Sequence, residues 1–347
     1  MRALAGVLLL AAAGCALADP PIAKLPLGVT TVTVQARGET AAVETLNADA
    51  ADDPAIWRNP ANPAASLIVA TDKRAGLHVY GMDGADRSFL AAGRVNNVDL
   101  RDMGAAGIIV AASDRSDPAA AMLALYRLDP RTAALTPIGR VPVGSGEAYG
   151  VCLYRNGAAL FAFNVLKDGT IAQAALDLSR PAATGRIVRT MKLATQSEGC
   201  VADDRTGRLY VAEEDVGIWR FDAAASAGIV GRRIAAADGS HIVADTEGLT
   251  IAVEGRGDGG YLLVSSQGDN AYAVYRLRDD AYVGRFRIGA GAFGATEETD
   301  GIDIAVGDFG GRFAGGLFVA QDGQNPPRAQ NFKMVAWADI KRALGLR

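Results

Sequence analysis

Leu67-Ile68-Val69-Ala70-Thr71-Asp72 is an apolar run of strand length that stops on polar residues, and the chain returns to this pattern five more times. The other runs are Ile109-Val110-Ala111-Ala112-Ser113-Asp114, Leu160-Phe161-Ala162-Phe163-Asn164, Leu209-Tyr210-Val211-Ala212-Glu213-Glu214, Leu262-Leu263-Val264-Ser265-Ser266-Gln267 and Leu317-Phe318-Val319-Ala320-Gln321-Asp322. A further strand often follows, as in Gly76-Leu77-His78-Val79-Tyr80, Gly217-Ile218-Trp219-Arg220-Phe221 and Ala271-Tyr272-Ala273-Val274-Tyr275. Roughly 15 to 20 residues ahead of each run's polar tip stands a polar residue, a small or turn residue and a short apolar strand. These leading units are Asp53-Pro54-Ala55-Ile56, Asn97-Val98-Asp99-Leu100, Tyr149-Gly150-Val151-Cys152, Glu198-Gly199-Cys200-Val201, Glu247-Gly248-Leu249-Thr250 and Asp300-Gly301-Ile302-Asp303. Their first residues are 44, 52, 49, 49 and 53 positions apart. That period is the length of a four-stranded propeller blade. Long helical periodicity is absent, and Gly, Asp and Asn turns separate the runs. The expected fold is therefore all-β: a six-bladed β-propeller of four-stranded antiparallel blades. The domain is expected over residues 46–347, its blades filling 50 to 340 and a short helix at Trp337–Arg342. An irregular sandwich is the competing architecture.

Outside the repeats, residues 1–18 read as a signal peptide, with Arg2, an apolar stretch from Leu4 to Ala13 and small residues after it. Ala16-Leu17-Ala18 is an A-x-A cleavage site; Ala12-Ala13-Gly14-Cys15 is the alternative, a lipoprotein box that would lipidate Cys15. Export is expected either way, to the medium or the periplasm, with residues 19–45 as an N-terminal segment ahead of the domain. No later apolar run is long enough to span a membrane. Removing residues 1–18 takes away one charged residue, Arg2, and moves the net charge from −4 to −5. A mildly acidic protein lacks the concentrated basic face that nucleic acid requires. Cys152 and Cys200 sit in apolar strand contexts and read as buried free thiols. With no exposed apolar stripe in view, a monomer is expected.

In a propeller the first strand of each blade lines the channel, and both families of polar tips surround one mouth. The carboxylates so placed are Asp52, Asp53, Asp99, Glu147, Glu198, Glu213, Glu214, Asp215, Asp245, Glu247, Asp300, Asp303 and Asp322, with Asn96, Asn97, Gln267 and Asn270 as neutral oxygen donors. So many like charges repel unless a cation binds among them. An oxygen-only set suits a hard cation of flexible coordination, so calcium is favoured. Two histidines, His78 and His241, are too few for an ordinary zinc centre, and each is expected at the surface or on an edge strand. Basic residues share the same tips: Lys73, Arg74, Arg115 and Lys167. Cations beside a metal-loaded acidic bowl are what a polyanionic phosphate needs. No Walker loop, R-H-G stretch or G-x-S-x-G elbow is present, and four residues lie between Cys200 and Arg205 where a cysteine phosphatase loop needs five. What remains is water activated by metal.

At these residues the chain closely resembles the β-propeller phytases, the alkaline calcium-dependent phytases of bacteria. The matching stretches begin with Asp52-Asp53-Pro54-Ala55-Ile56-Trp57, Asn96-Asn97-Val98-Asp99, Glu147-Ala148-Tyr149-Gly150, Ser197-Glu198-Gly199 and Ala212-Glu213-Glu214-Asp215-Val216-Gly217-Ile218-Trp219. They continue through Glu247-Gly248-Leu249-Thr250, Gly260 to Gly268, Asp300-Gly301-Ile302-Asp303, Leu317 to Gly323 and Asn331-Phe332-Lys333-Met334-Val335, so that the resemblance covers roughly residues 45 to 340.

The resemblance implies a phosphomonoesterase that hydrolyses myo-inositol hexakisphosphate (phytate), taken as its calcium salt, to lower inositol phosphates. It implies calcium ions both structural and catalytic, with a calcium-bridged water as nucleophile. Residue by residue it implies calcium ligands at Asp52, Asp53, Glu198, Glu214, Asp245, Glu247, Gln267 and Asp300. Phosphate contacts fall to Lys73, Arg74, Arg115, Tyr149 and Lys167, and the catalytic set to Asp52, Asp53, Glu198, Lys73, Arg115 and Tyr149. Two departures stand out: Asp72 and Asp114 occupy positions where Asn is expected, adding negative charge beside the phosphate-binding cations. Glu39, ahead of the first blade, is a further candidate ligand, and the Gly-rich loop from Gly289 to Glu298 offers no ligand that aligns. A calcium-dependent lactonase of the same fold should lack the set Lys73, Arg115 and Lys167. A calcium-stabilised binding module should take ligand without releasing phosphate.

Overall fold

A computed structural model describes residues 29–46 and 49–346. The stretch expected as a signal peptide, its candidate cleavage sites and Cys15 lie outside the described residues. Strands β1 (Val32–Gln35) and β2 (Gly38–Glu39) precede the blades. The first blade is β3 (Ala51–Trp57), β4 (Leu67–Asp72), β5 (Gly76–Gly81) and β6 (Asp86–Leu90). The second is β7 (Val95–Asp102), β8 (Ile108–Asp114), β9 (Ala120–Asp129) and β10 (Ala134–Ser145). The third is β11 (Ala148–Asn156), β12 (Ala159–Leu166), β13 (Thr170–Asp177) and β14 (Thr184–Lys192). The fourth is β15 (Ser197–Asp203), β16 (Arg208–Glu213), β17 (Gly217–Asp222) and β18 (Arg232–Ala236). The fifth is β19 (Thr246–Val253), β20 (Gly260–Ser266), β21 (Ala271–Arg276) and β22 (Ala281–Gly289). The sixth is β23 (Ile302–Val306), β24 (Gly316–Asp322) and β25 (Asn331–Ala336), after which helix α1 (Trp337–Leu344) ends the fold. The expected all-β propeller and the C-terminal helix are both present.

Within each blade its own strands run antiparallel in chain order from the channel outward. Burial falls along the same direction: every residue of β3 and β4 is buried, whereas β6 is largely exposed or half-buried. The second strands are continuous apolar runs because both of their faces pack on neighbouring blades. Leu67 and Val69 face the second blade, while Ile68 and Ala70 face the sixth. Such an interface recurs between every pair of adjacent blades.

Closure of the ring involves the segment ahead of the domain. β2 pairs antiparallel with β25 as the outermost strand of the sixth blade, and β1 lies parallel to β22 as a fifth strand on the fifth. Residues as early as Val32 therefore belong to the propeller. The pairing of β2 with β25 ties the segment ahead of the first blade to the last strand of the sixth. A four-residue and a two-residue strand carry too little alternation to be seen in sequence. Among the described residues no helix is long and apolar enough to cross a membrane.

Two expectations are corrected here. Cys152 and Cys200 form a disulfide across 48 residues of sequence, with Cα atoms 5.7 Å apart. They stand on β11 and β15, the innermost strands of adjacent blades, which the ring brings side by side. His78 is neither exposed nor on an edge strand; it is fully buried on β5, its ring beside Tyr80 and Phe89 and its Nδ1 2.7 Å from Asp86. His241 is half-buried and stacks on Tyr282.

Candidate active site

The leading units come together because of their glycines. A Cβ on Gly150 would strike the carbonyl of Glu198, and one on Gly199 would strike that of Glu247. Gly248 and Gly301 meet Asp300 and Asp52–Asp53 in the same way. The amides of Gly248 and Gly301 donate to Asp300 O and Asp52 O at 2.8 and 3.0 Å. The missing side chain thus lets the third to sixth blades each close onto the leading residue of the next, which draws the carboxylates together.

Polar residues near the ends of three second strands brace this ring from behind. Thr71 Oγ1 accepts from Asp53 N (2.9 Å), Ser113 Oγ from Asn97 N (2.9 Å) and Gln321 Oε1 from Asp300 N (2.9 Å). Glu213 does the same work: its carboxylate accepts from the amides of Ala194 and Thr195 and from Trp219 Nε1. It is a brace, not a member of the bowl.

Inside the ring, carboxylate oxygens of Glu198, Glu214 and Glu247 lie within 4.8 Å of one another, all three residues buried. Glu214 Oε1, Glu247 Oε2 and both oxygens of Asp52 receive no hydrogen bond. Asp52 has for company the Lys73 ammonium at 3.2 Å, which also reaches Asp300 at 3.0 Å and Asp49 at 2.9 Å. Gln267 Nε2 donates to Asp300 (2.6 Å), and Asp245 and Gln267 share one wall of the cavity with Glu214, Glu247 and Asp300. Burial pushes Glu214 and Asp300 up to about 7. Glu198 and Glu247 rise well above the carboxylate range, first through burial and then through neighbouring negative charge. Asp245 also rises, by burial and then by the charge of Asp215. A cluster of buried oxygens that lack donors and hold protons too tightly could take a hard, oxygen-seeking divalent cation, and this set fits calcium.

Cations flank the cluster. Burial opposes the charge of Lys73, but the surrounding carboxylates outweigh it and hold the ammonium charged. Arg115 pairs with Glu147 and Asn96 and lies over the Tyr149 ring at 5.4 Å; Lys167 lies over the same ring at 5.0 Å. The charge of Glu198, then burial, raises the Tyr149 phenol and keeps it protonated. Arg74 donates to the Asp49 carbonyl (2.9 Å) at the rim. Lys73 and Tyr149 line a cavity of about 1010 Å³ together with Glu214, Asp245, Glu247, Gln267 and Asp300.

Other sequence candidates lie elsewhere. Asp53 accepts from Val98 N (3.0 Å) and lines a narrower cavity of about 350 Å³ in the channel, away from the bowl. Asp99 and Asp303 share that narrower cavity and tie blades together. Asp99 accepts from Leu153 N (2.8 Å) and binds Arg101, while Asp303 accepts from Ile56 N (2.8 Å) and Thr250 Oγ1 (2.8 Å). Asp72 accepts from the amides of Thr45 and Arg74, and Asp114 is paired with Arg140. The two extra charges are thus engaged locally. Asp322 and Glu39 both bind the fully buried Lys333 ammonium, at 3.0 and 2.7 Å, and Glu39 also binds Arg328. Burial would raise Glu39, but its bonds to Lys333 and Arg328 win and hold it at about 2. Sequence reasoning missed Asp49 as a partner of Lys73 and Gln196, which donates to Glu214 (2.7 Å). Gln196 stands two residues before Glu198, where a look at the neighbours of the motif would have found it.

Fold and site together define a class: a propeller enzyme with a buried carboxylate cluster and a cationic fringe at one mouth of its channel. The chain belongs to the Phytase family, whose model matches residues 2–347. It is 39% identical over 313 residues to the 3-phytase of Bacillus subtilis (strain 168), covering 86% of this chain and 82% of that protein. A chain of a solved structure, "Crystal Structure of Mitotic Checkpoint Complex", aligns at a TM-score of 0.46 and 13% identity over 93% of this chain and 82% of that one, a likeness that carries no argument. Membership in the family makes this chain a phytase, a hydrolase of phosphomonoesters.

Proposed function

We propose that the protein removes phosphate from phytate, beginning at the 3-position, by a calcium-dependent hydrolysis in the 1010 Å³ cavity. The observation that carries this reading is the buried glutamate cluster with unbonded oxygens, set beside the cations Lys73, Arg115 and Lys167. Asp52, Glu198, Glu214, Asp245, Glu247, Gln267 and Asp300 would hold calcium at the bowl, and Asp53 a further ion in the channel. Bound there, calcium would supply Lewis acidity that lowers the pKa of water and offsets the charge of the ester.

The protein's own groups account for the rest. Lys73, kept charged by Asp52, Asp300 and Asp49, would attract a phosphate to the carboxylate cluster. Arg115 and Lys167, both in contact with the Tyr149 ring, would hold the charge that develops on the phosphoryl oxygens. Tyr149 remains a hydrogen-bond donor because Glu198 keeps its proton in place. Arg74 at the rim would meet a second phosphate. The working form is read as a monomer exported from the cell, acting on the calcium salt of phytate.

Phosphate release from phytate by metal-stripped protein, without and then with added calcium, tests the reading. Release that needs calcium and stops on chelation is expected. No release at neutral to mildly alkaline pH with calcium supplied would leave a binding module as the function.

A further inference from the structure

Asp269 ends a 3-10 turn, Gln267–Asp269, at the tip of β20. The Arg285 guanidinium holds its carboxylate on both oxygens at 2.6 Å. Arg285 comes from β22, two strands further out in the same blade, and is fully buried. Its Nε and Nη1 have no hydrogen-bond partner. A buried ion pair gains little stability over apolar packing, and unpaired N–H groups reduce that further. Stability therefore does not account for Arg285; what the pair holds does.

Asp269 Oδ1 accepts a hydrogen bond from Ser266 Oγ (2.7 Å), and Ser266 Oγ accepts one from Val243 N (2.8 Å). Val243 leads into Ala244 and Asp245, and the Asp245 carbonyl accepts from Gln267 N (3.0 Å). A Cβ on Gly268 would strike the Ala244 carbonyl, so the two segments lie in direct contact. One chain of bonds thus runs from Arg285 through Asp269 and Ser266 to the segment bearing Asp245, and the same turn bears Gln267.

We propose that Arg285 is a positioning residue that, through Asp269 and Ser266, presents Asp245 and Gln267 as a single ligand edge for calcium. The inference rests on the calcium reading above. Outer partners of this kind typically tune metal affinity by about 10- to 100-fold.

Calorimetric titration of calcium into metal-stripped protein tests it, beside melting of the calcium-free form. Asp269→Asn should weaken calcium binding by at least about tenfold. Ser266→Ala, which cuts the link without stranding the Arg285 charge, should weaken it severalfold, and decides the matter if Asp269→Asn does not fold. Val110→Ala, a core change in the second blade, should lower the melting temperature and leave the isotherm alone. A wild-type isotherm in folded Asp269→Asn or Ser266→Ala overturns the inference, as does equal weakening in Val110→Ala. Wild-type protein that takes no calcium overturns the calcium reading itself, and the inference falls with it.

Discussion

Without calcium, the protein should become less stable as pH rises from 5 to 8, the reverse of what paired carboxylates produce. Glu214 and Asp300 stand near 7 in the folded protein, against the usual 4.5 and 3.8. A carboxyl raised on folding binds its proton more tightly folded than unfolded. Its contribution is fully present below the unfolded value and is lost as pH rises through 7. At about 1.4 kcal/mol per tenfold, and after a reduction for solvent screening and for the mutual coupling of the cluster, the two lose about 4 kcal/mol together. Glu198, Glu247 and Asp53 act in the same direction. At about 2 °C per kcal/mol for a domain of this size, the melting temperature of metal-stripped protein should fall by about 8 °C. Saturating calcium competes with those protons, so it should flatten the fall and stabilise most at pH 8. Differential scanning calorimetry at four pH values, with and without calcium, reads both effects. A flat or rising calcium-free profile, or the same fall with calcium present, would refute the reasoning.

Other consequences follow from single contacts. Arg115→Ala should reduce kcat/KM on phytate by at least about 100-fold, as loss of a charge-stabilising donor does, with little change in melting temperature. Asp245→Ala should lower activity and calcium-saturated melting temperature together; steady-state kinetics and calorimetry on both variants check the contrast. Removing the disulfide with Cys152→Ala and Cys200→Ala should cost about 4 kcal/mol for a loop of 48 residues, and an unchanged urea midpoint would contradict it. Lys333→Met leaves the buried Asp322 without its cation and Glu39 with Arg328 alone, and should cost about 3 kcal/mol by urea titration; a loss below about 1 kcal/mol would show that Asp322 finds another partner.

Much of the site was legible because its local chemistry repeats. An apolar run without alternation signals a strand buried on both faces, and the Thr, Ser or Gln that ends it signals a brace, as Thr71, Ser113 and Gln321 show. A glycine after Tyr149, Glu198, Glu247 and Asp300 records a close approach at the same place in four of the six repeats. Those are properties of neighbours along the chain, and they determined six blades and the mouth where the acids meet. Tertiary structure alone decided which acids work together. Glu198, Glu214 and Glu247 share a site, whereas Glu213, one residue from Glu214, points into a bed of backbone amides. Asp53 and Asp52 are adjacent in sequence, yet one lines the channel and the other lies against Lys73, because successive residues of a strand face opposite ways. The partnership of Cys152 with Cys200, the seating of β2 on β25 and the burial of Lys333 between Glu39 and Asp322 all join residues far apart in sequence. They depend on how the ring closes, and ring closure sets contacts between blades that no single repeat encodes.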